Sequence, residues 1–253
     1  MIQFDLHVHT IFSHCGIHTV LELLARAKEL GMKGFAVTDH GLGLKLGGRL
    51  TDGVKMSGRL NNPFFERFRS PDPAVKILKG VECNVLDAAG KIDAPREFMK
   101  HIDVILLGLH PNLPANKDKT ANTDLLITAM RKNPCVDIIT HPNDNAYPVD
   151  YKRLAREAAL LGVALELNNS KVMYARTGVE TVVELVETCR DEGCCMALNS
   201  DTHAIHELGV DDNVRPILAA ARFPEELIVN RTEESTMEFI NSRRKNKIIV
   251  ESV

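Results

Sequence analysis

The sequence predicts an α/β barrel with its site at the C-terminal ends of the strands. Seven short apolar runs alternate with amphipathic stretches, each run has the length of a strand buried on both faces, and no glycine-rich phosphate turn follows the first run. The first two features point to parallel strands joined by right-handed helical crossovers. The third disfavours an open nucleotide-binding sheet and leaves the closed barrel. At 253 residues, with no internal repeat, low-complexity tract or linker, one domain spanning 1–253 is the simplest organisation.

The first strand ends in Asp5-Leu6-His7-Val8-His9-Thr10. Side chains alternate along a strand, so His7 and His9 share one face while Leu6 and Val8 point into the opposite packing layer. Two imidazoles on rigid backbone make half of a zinc or manganese site. A loop, Ile11–His18, leads to Thr19-Val20-Leu21-Glu22, a capping box that starts a helix. That helix runs through Leu30, stops at Gly31, and takes Leu23, Leu24, Ala27 and Leu30 as its apolar face. Lys33–Thr38 is the second strand and runs into Asp39-His40. Residues 41–73, rich in Gly, Arg and Asn, read as an excursion over the active face that shapes the pocket. Within it Phe64, Phe65 and Phe68 read as a packing stripe. Lys45, Arg49 and Lys55, with Lys117 and Lys119 further on, read as solvated cations.

Val75–Val81 is the third strand, ending at Glu82, and Asn84–Asp93 reads as a small hairpin. Strand four, Asp103–Leu109, ends at His110-Pro111, and helical spacing follows over Asn122–Lys132. Strand five, Val136–Thr140, ends at His141-Pro142. A helix over Asp150–Leu161 leads to strand six, Gly162–Leu167, ending at Asn168-Asn169. A helix over Val179–Glu192 precedes strand seven, Cys195–Ser200, which ends at Asp201 and His203. Helical stretches near Asn213–Arg222 and Glu233–Arg244 close the chain, with Leu227–Val229 extended between them.

Almost every apolar run therefore finishes in a side chain able to bind a metal: His7 and His9, His40, Glu82, His110, His141, then Asp201 with His203. In a parallel barrel the working residues come from the C-terminal ends of several strands, so these converge. Zinc takes about four ligands, and the set implies two to three divalent ions with Glu82 as the natural bridge. A histidine-rich set with two carboxylates suits zinc first, then manganese or iron. The Ser13-His14-Cys15-Gly16 loop supplies a further ligand, with His14 preferred to Cys15 because no all-thiolate set accompanies it. His101, His18 and His206, beside helices and junctions, are left out.

Composition narrows the partners. A net charge of -3 and a pI near 6.4 give no pull toward nucleic acid or an anionic membrane. Three Tyr and no Trp leave no basic and aromatic track for a nucleic-acid strand. The run Arg243-Arg244-Lys245-Asn246-Lys247 reads as a solvated helix end. The opening Met1-Ile2-Gln3-Phe4-Asp5 lacks a basic and apolar leader, and no apolar run could span a bilayer, so a soluble cytoplasmic protein is expected. Six irregularly spaced cysteines without a C-x-x-C pair indicate neither a disulfide framework nor a zinc finger.

With these residues assembled, the chain resembles the PHP family, named for polymerase and histidinol phosphatase, and within it the YcdX-like phosphatase branch. The resemblance rests on Asp5-Leu6-His7-Val8-His9-Thr10, Thr38-Asp39-His40-Gly41, Gly80-Val81-Glu82, Gly108-Leu109-His110, Thr140-His141-Pro142, Leu165-Glu166-Leu167-Asn168-Asn169-Ser170 and Asn199-Ser200-Asp201-Thr202-His203. It implies a distorted (β/α)7 barrel of TIM-barrel type holding three metals in a row. By the resemblance His7, His9, Glu82 and Asp201 hold the first, Glu82, His110 and His141 the second, and His14, His40 and His203 the third. Close relatives place a histidine one residue later, where this chain has Cys15, so His14, Cys15 and His18 all stay candidates for the third position. The implied activity is hydrolysis of a small phosphomonoester by a metal-bridging hydroxide, with Glu82, Asp201 and His203 carrying the catalysis. Three alternatives stay open: a histidinol-phosphate phosphatase, a nuclease or polymerase-associated proofreading function, and a non-enzymatic metal-binding regulatory barrel.

Overall fold

The computed structural model describes residues 1–13, 15–41, 45–46, 49–50, 70–94, 96–111, 114–115 and 117–249. His14, Lys55, Phe64, Phe65 and Phe68 lie outside the described residues, as do the side chains of Lys45 and Arg49. Seven parallel strands follow one another around a nearly closed barrel: β1 (Phe4–Val8), β2 (Gly34–Val37), β5 (Lys76–Asn84), β6 (Val104–Gly108), β7 (Ile138–Ile139), β8 (Ala164–Asn168) and β9 (Met196–Asn199). A two-stranded antiparallel ribbon, β3 (Lys45–Leu46) with β4 (Arg49–Leu50), stands apart. Among the described residues no ladder joins β9 to β1. The gap is bridged near the site by His9 N–H to the Thr202 carbonyl (2.9 Å) and lower down by the Asn230 side-chain amide, which donates to the carbonyls of Phe4 and Leu198.

Strand parity sorts the core into layers. Phe4, Leu6, Ala36, Leu78, Val104, Leu106, Ile138, Ala164 and Ala197 form one buried cluster drawn from all seven strands, which is the barrel interior. The alternate residues Ile105, Leu107, Ile139, Leu165 and Leu167 join a second cluster with α2 (Lys119–Lys132), α3 (Tyr151–Leu161) and α5 (Val179–Asp191). The expectation that Leu6 and Val8 share a layer fails. Leu6 lies in the interior, whereas Val8 packs under α1 (Val20–Glu29). The β1–β2 register shifts between Asp5 and Val8, and such an irregularity re-aims the side chains beyond it.

Most elements lie where the sequence puts them, including the reciprocal Thr19–Glu22 capping box of α1. Two strands differ. β7 is only two residues long, and β5 runs on to Asn84, so Glu82 sits inside the strand. β5 pairs with β2 over Lys76–Lys79 and with β6 over Gly80–Asn84. A short helix, α4 (Asn169–Met173), follows β8 directly, and α6 (Arg215–Ala220) and α7 (Glu233–Ile249) complete the set.

The basic run in α7 is solvated only in part, at the exposed Arg244 and Lys245. Arg243 and Lys247 are buried beneath the barrel, where both meet Asp137 (2.9 and 2.8 Å). The Arg243 guanidinium also donates to the carbonyls of Gly162 and Val136 (both 2.6 Å). Ile240 of the same helix joins the interior cluster, so α7 closes the end of the barrel opposite the site.

Candidate metal centre

The donors arrive from six different strands. His7 is the penultimate residue of β1 and His9 follows it; His40 follows β2 and is bridged to Glu82 in β5. His110, His141 and the Asp201–His203 pair follow β6, β7 and β9. His141 and Asp201 take left-handed backbone, with φ of 33° and 57°. Residues with a Cβ hold that conformation only where the surroundings impose it. Gly108 leaves room for His110 and His141: a Cβ there would stand 2.3 Å from Thr140 Oγ1, 2.8 Å from His110 Cε1 and 3.1 Å from His141 Cε1.

Hydrogen bonding fixes the imidazole tautomers. Ser13 Oγ donates its one proton to Asp39 (2.6 Å), so it accepts from His9 Nδ1 (3.0 Å) and from the His40 amide (3.0 Å). His7 Nδ1 donates to Glu166 (2.7 Å). Both Nε2 lone pairs then point inward. They face each other at 3.0 Å, and each lies 3.4 Å from Asp201 Oδ1. Lone pairs so arranged repel unless a cation, proton or metal, stands among them. Ligands about 2.0–2.1 Å from a tetrahedral zinc ion sit about 3.3 Å apart, close to the 3.0 and 3.4 Å found here.

Glu82 is the hub. Its Oε1 lies 3.1 Å from His110 Nε2, 3.0 Å from His141 Nε2 and 3.4 Å from His7 Nε2, and its Oε2 lies 3.4 Å from His9 Nε2. Oε2 also stands 2.8 Å from His40 Nδ1, yet neither atom has a hydrogen-bond partner of acceptable geometry. Buried polar atoms are rarely left so, and a shared metal ion would satisfy both. A further group of donor atoms, from His9, Cys15, His40 and His203, lies within 4.8 Å of one another. The residues present therefore fit a multinuclear centre. Among the described residues the structure brings together every strand-end ligand the sequence suggests, and it sets Cys15 rather than His18 beside them. His206 is 71% exposed, away from the cluster.

The electrostatics agree. Burial alone would raise Glu82 and Asp201, but the facing imidazoles, with Lys171 beside Asp201, hold both carboxyls well below the usual range. Burial would lower His40, yet Glu82 and Cys15 push it up to about 10, and His203 beside Cys15 and Asp201 rises against its own burial to about 9. Burial would raise the Cys15 thiol, but His203, His40 and His9 pull it down to about 3. Burial wins at His110, which falls to about 4. The carboxylates and thiolate that favour protons on His40 and His203 favour divalent cations in the same place.

Several residues outside the predicted set hold the donors. Glu166 is fully buried and accepts from His7 Nδ1 and Asn199 Nδ2 on one oxygen, and from the His141 amide and Asn168 Nδ2 on the other. Lys171 Nζ (2.6 Å) and Asn168 Nδ2 (3.1 Å) both bind Asp201 Oδ2, turning Oδ1 toward His7 and His9. Glu207 accepts from the His203 and Ala204 amides and from the Tyr174 hydroxyl. In the sequence Glu166 shows only as a lone Glu in the apolar run of β8 and as a member of the Leu165–Ser170 stretch that carries the resemblance, with no role marked out for it. Above the donors opens a cavity of about 340 Å³, with Lys171, Tyr174 and Arg176 among its lining residues.

Comparison with known proteins bears on this arrangement. The PHP domain model matches residues 5–141. A "probable phosphatase" of Proteus mirabilis strain HI4320 is 34% identical over 250 residues, covering 98% of each chain. Another of that name from Citrobacter koseri is 35% identical over 256 residues, covering 96% of each. Among solved structures, the histidinol phosphate phosphatase of Lactococcus lactis, complexed with zinc, L-histidinol and phosphate, superposes with a TM-score of 0.57. It is 16% identical, over 88% of this chain and 94% of that one, a likeness of fold.

Proposed function

The chain belongs to the PHP domain family, and on that premise we propose that it is a metal-dependent phosphoesterase hydrolysing a small phosphomonoester at a three-ion centre. The inward-facing Nε2 lone pairs of His7 and His9, 3.0 Å apart beside Asp201 and Glu82, carry this proposal furthest. The names of the curated relatives support it. His7, His9, Glu82 and Asp201 would hold one ion, Glu82, His110 and His141 a second, and His40 and His203 with a loop residue the third. Zinc fits the donor set best, with manganese or iron also accommodated.

Held by these residues, divalent ions would supply Lewis acidity, lowering the pKa of water toward neutrality and offsetting charge on phosphoryl oxygens. The chain does the rest by positioning. Glu166 and Ser13 keep the His7 and His9 protons on Nδ1, so each Nε2 stays a donor. Lys171 and Asn168 lock the Asp201 rotamer. Arg176, paired with Asp144 at 3.1 Å and half exposed on the cavity wall, is a cation available to a substrate phosphate. The cavity volume suits a small molecule, and among the described residues no helix is long and apolar enough to cross a membrane.

The test is hydrolysis of p-nitrophenyl phosphate and bis-p-nitrophenyl phosphate by the protein as purified, after chelation, and after zinc or manganese is restored. Chelator-sensitive, metal-restored monoester cleavage is the expected result. Preference for the diester would favour a nuclease, and stoichiometric metal without either activity would favour a regulatory barrel.

A further inference from the structure

We propose that Cys15 is a thiolate ligand of the third ion, making that position a zinc site inside a cluster whose other positions also take manganese. This rests on the metal-dependent reading above and deepens it. Cys15 does not stand alone: its sulfur and one nitrogen each of His9, His40 and His203 lie within 4.8 Å of one another. His40 joins this group to the Glu82 hub, because it also belongs to a donor group with Glu82 and His110, and its Nδ1, buried without a hydrogen-bond partner, faces Glu82 Oε2, which also lacks one.

The loop is built to put the sulfur there. At Gly16 a Cβ would stand 2.6 Å from the Thr10 carbonyl oxygen and 2.9 Å from the His9 carbonyl carbon, so only glycine lets the chain turn back against the strand end. The Ile17 amide then donates to the His203 carbonyl (3.0 Å), stitching the loop to the backbone of another donor. Cys15 is thereby fixed between β1 and the segment after β9. Cys83, Cys135, Cys189 and Cys194 are instead packed in the hydrophobic core, and Cys195 is packed against the barrel interior.

Chemistry then separates the positions. The donors shared by the first two ions are imidazole and carboxylate, which zinc, manganese and iron all accept, whereas thiolate favours zinc strongly over manganese. Saturating manganese should therefore leave a mixed cluster with one zinc retained beside Cys15.

Metal-depleted protein is titrated with Co²⁺, and zinc-loaded protein is dialysed against excess Mn²⁺ with metal content read by mass spectrometry. The wild type should give a near-ultraviolet thiolate-to-cobalt charge-transfer band and keep about one zinc per chain through dialysis. Cys15→Ser should lose the band and that zinc. Cys15→His, which supplies a nitrogen instead, should keep the full cobalt stoichiometry without the band and exchange its last zinc for manganese. Cobalt bound without the band, a band that survives in Cys15→Ser, or complete displacement of zinc from the wild type would overturn the thiolate assignment while leaving the metal centre standing. No cobalt bound at all would overturn both.

Discussion

Glu166→Gln isolates the part of the site that no strand-end pattern reveals. The carboxylate accepts four hydrogen bonds and has no proton of its own to give: burial would raise it, but His7 and His141 hold it below the usual range. A glutamine keeps one accepting oxygen and turns the other into a two-proton donor. The backbone amide of His141 (2.6 Å) cannot reverse its polarity, so the oxygen stays there and the new NH2 faces His7 Nδ1. His7 must then carry its proton on Nε2, the atom aimed at His9. Losing a charge-assisted hydrogen bond in a buried site costs about 1.5–3 kcal/mol, and partners that orient metal-binding histidines are typically worth about 10–100-fold in affinity. Zinc affinity, measured by competition with a chromophoric chelator, should fall by about 10–100-fold, with the circular dichroism spectrum retained. Wild-type affinity in the variant would refute the tautomer reasoning.

Further outcomes follow from the same geometry. Glu82→Gln removes the charge that faces five imidazoles and should cut phosphoester turnover at least about a hundredfold in a saturating-substrate assay. Arg243→Met leaves Asp137 and several carbonyls short of a partner at the closed end of the barrel, and should lower unfolding free energy in a urea titration by about 3–5 kcal/mol without changing zinc affinity. Burial lifts the Asp5 carboxyl from 3.8 to about 6 against the hydrogen bonds it accepts from Ser200, His7 and Gly209. The folded chain thus holds a proton that the unfolded chain releases. The stability so gained is present below about pH 4 and lost as pH rises through about 6, a difference of about 3 kcal/mol. A carbon-detected NMR titration of Asp5 with its midpoint near 4 would contradict it.

How much of this was legible depends on the kind of residue. Donors such as His110 and His141 announce themselves because each directly follows an apolar strand, and barrel closure brings strand ends together whatever their separation along the chain. Residues that act by orienting donors do not. Glu166 meets His7 across 159 positions; in the sequence it is one charge inside an apolar strand, and the resemblance stretch that contains it does not say what it does. Lys171 sits on a helix of five residues, too short for periodicity to register. Arg243 and Lys247 read as solvated because a basic run usually is, and it takes Asp137, more than a hundred positions away, with the carbonyls of Gly162 and Val136, to make their burial tolerable. The layer of Val8 was misread because a register shift in a strand leaves no mark in the alternation of residue types.

The central claim is that the inward-facing donors hold metal, and an anomalous difference map from crystals of zinc-loaded protein, collected at the zinc edge, tests it most directly. The map should show peaks within about 2.0–2.3 Å of His7 and His9 Nε2, of His110 and His141 Nε2 beside Glu82, and of His40 and His203. A map that left His7 and His9 Nε2 without a peak, or placed zinc only on surface residues such as His206, would contradict it.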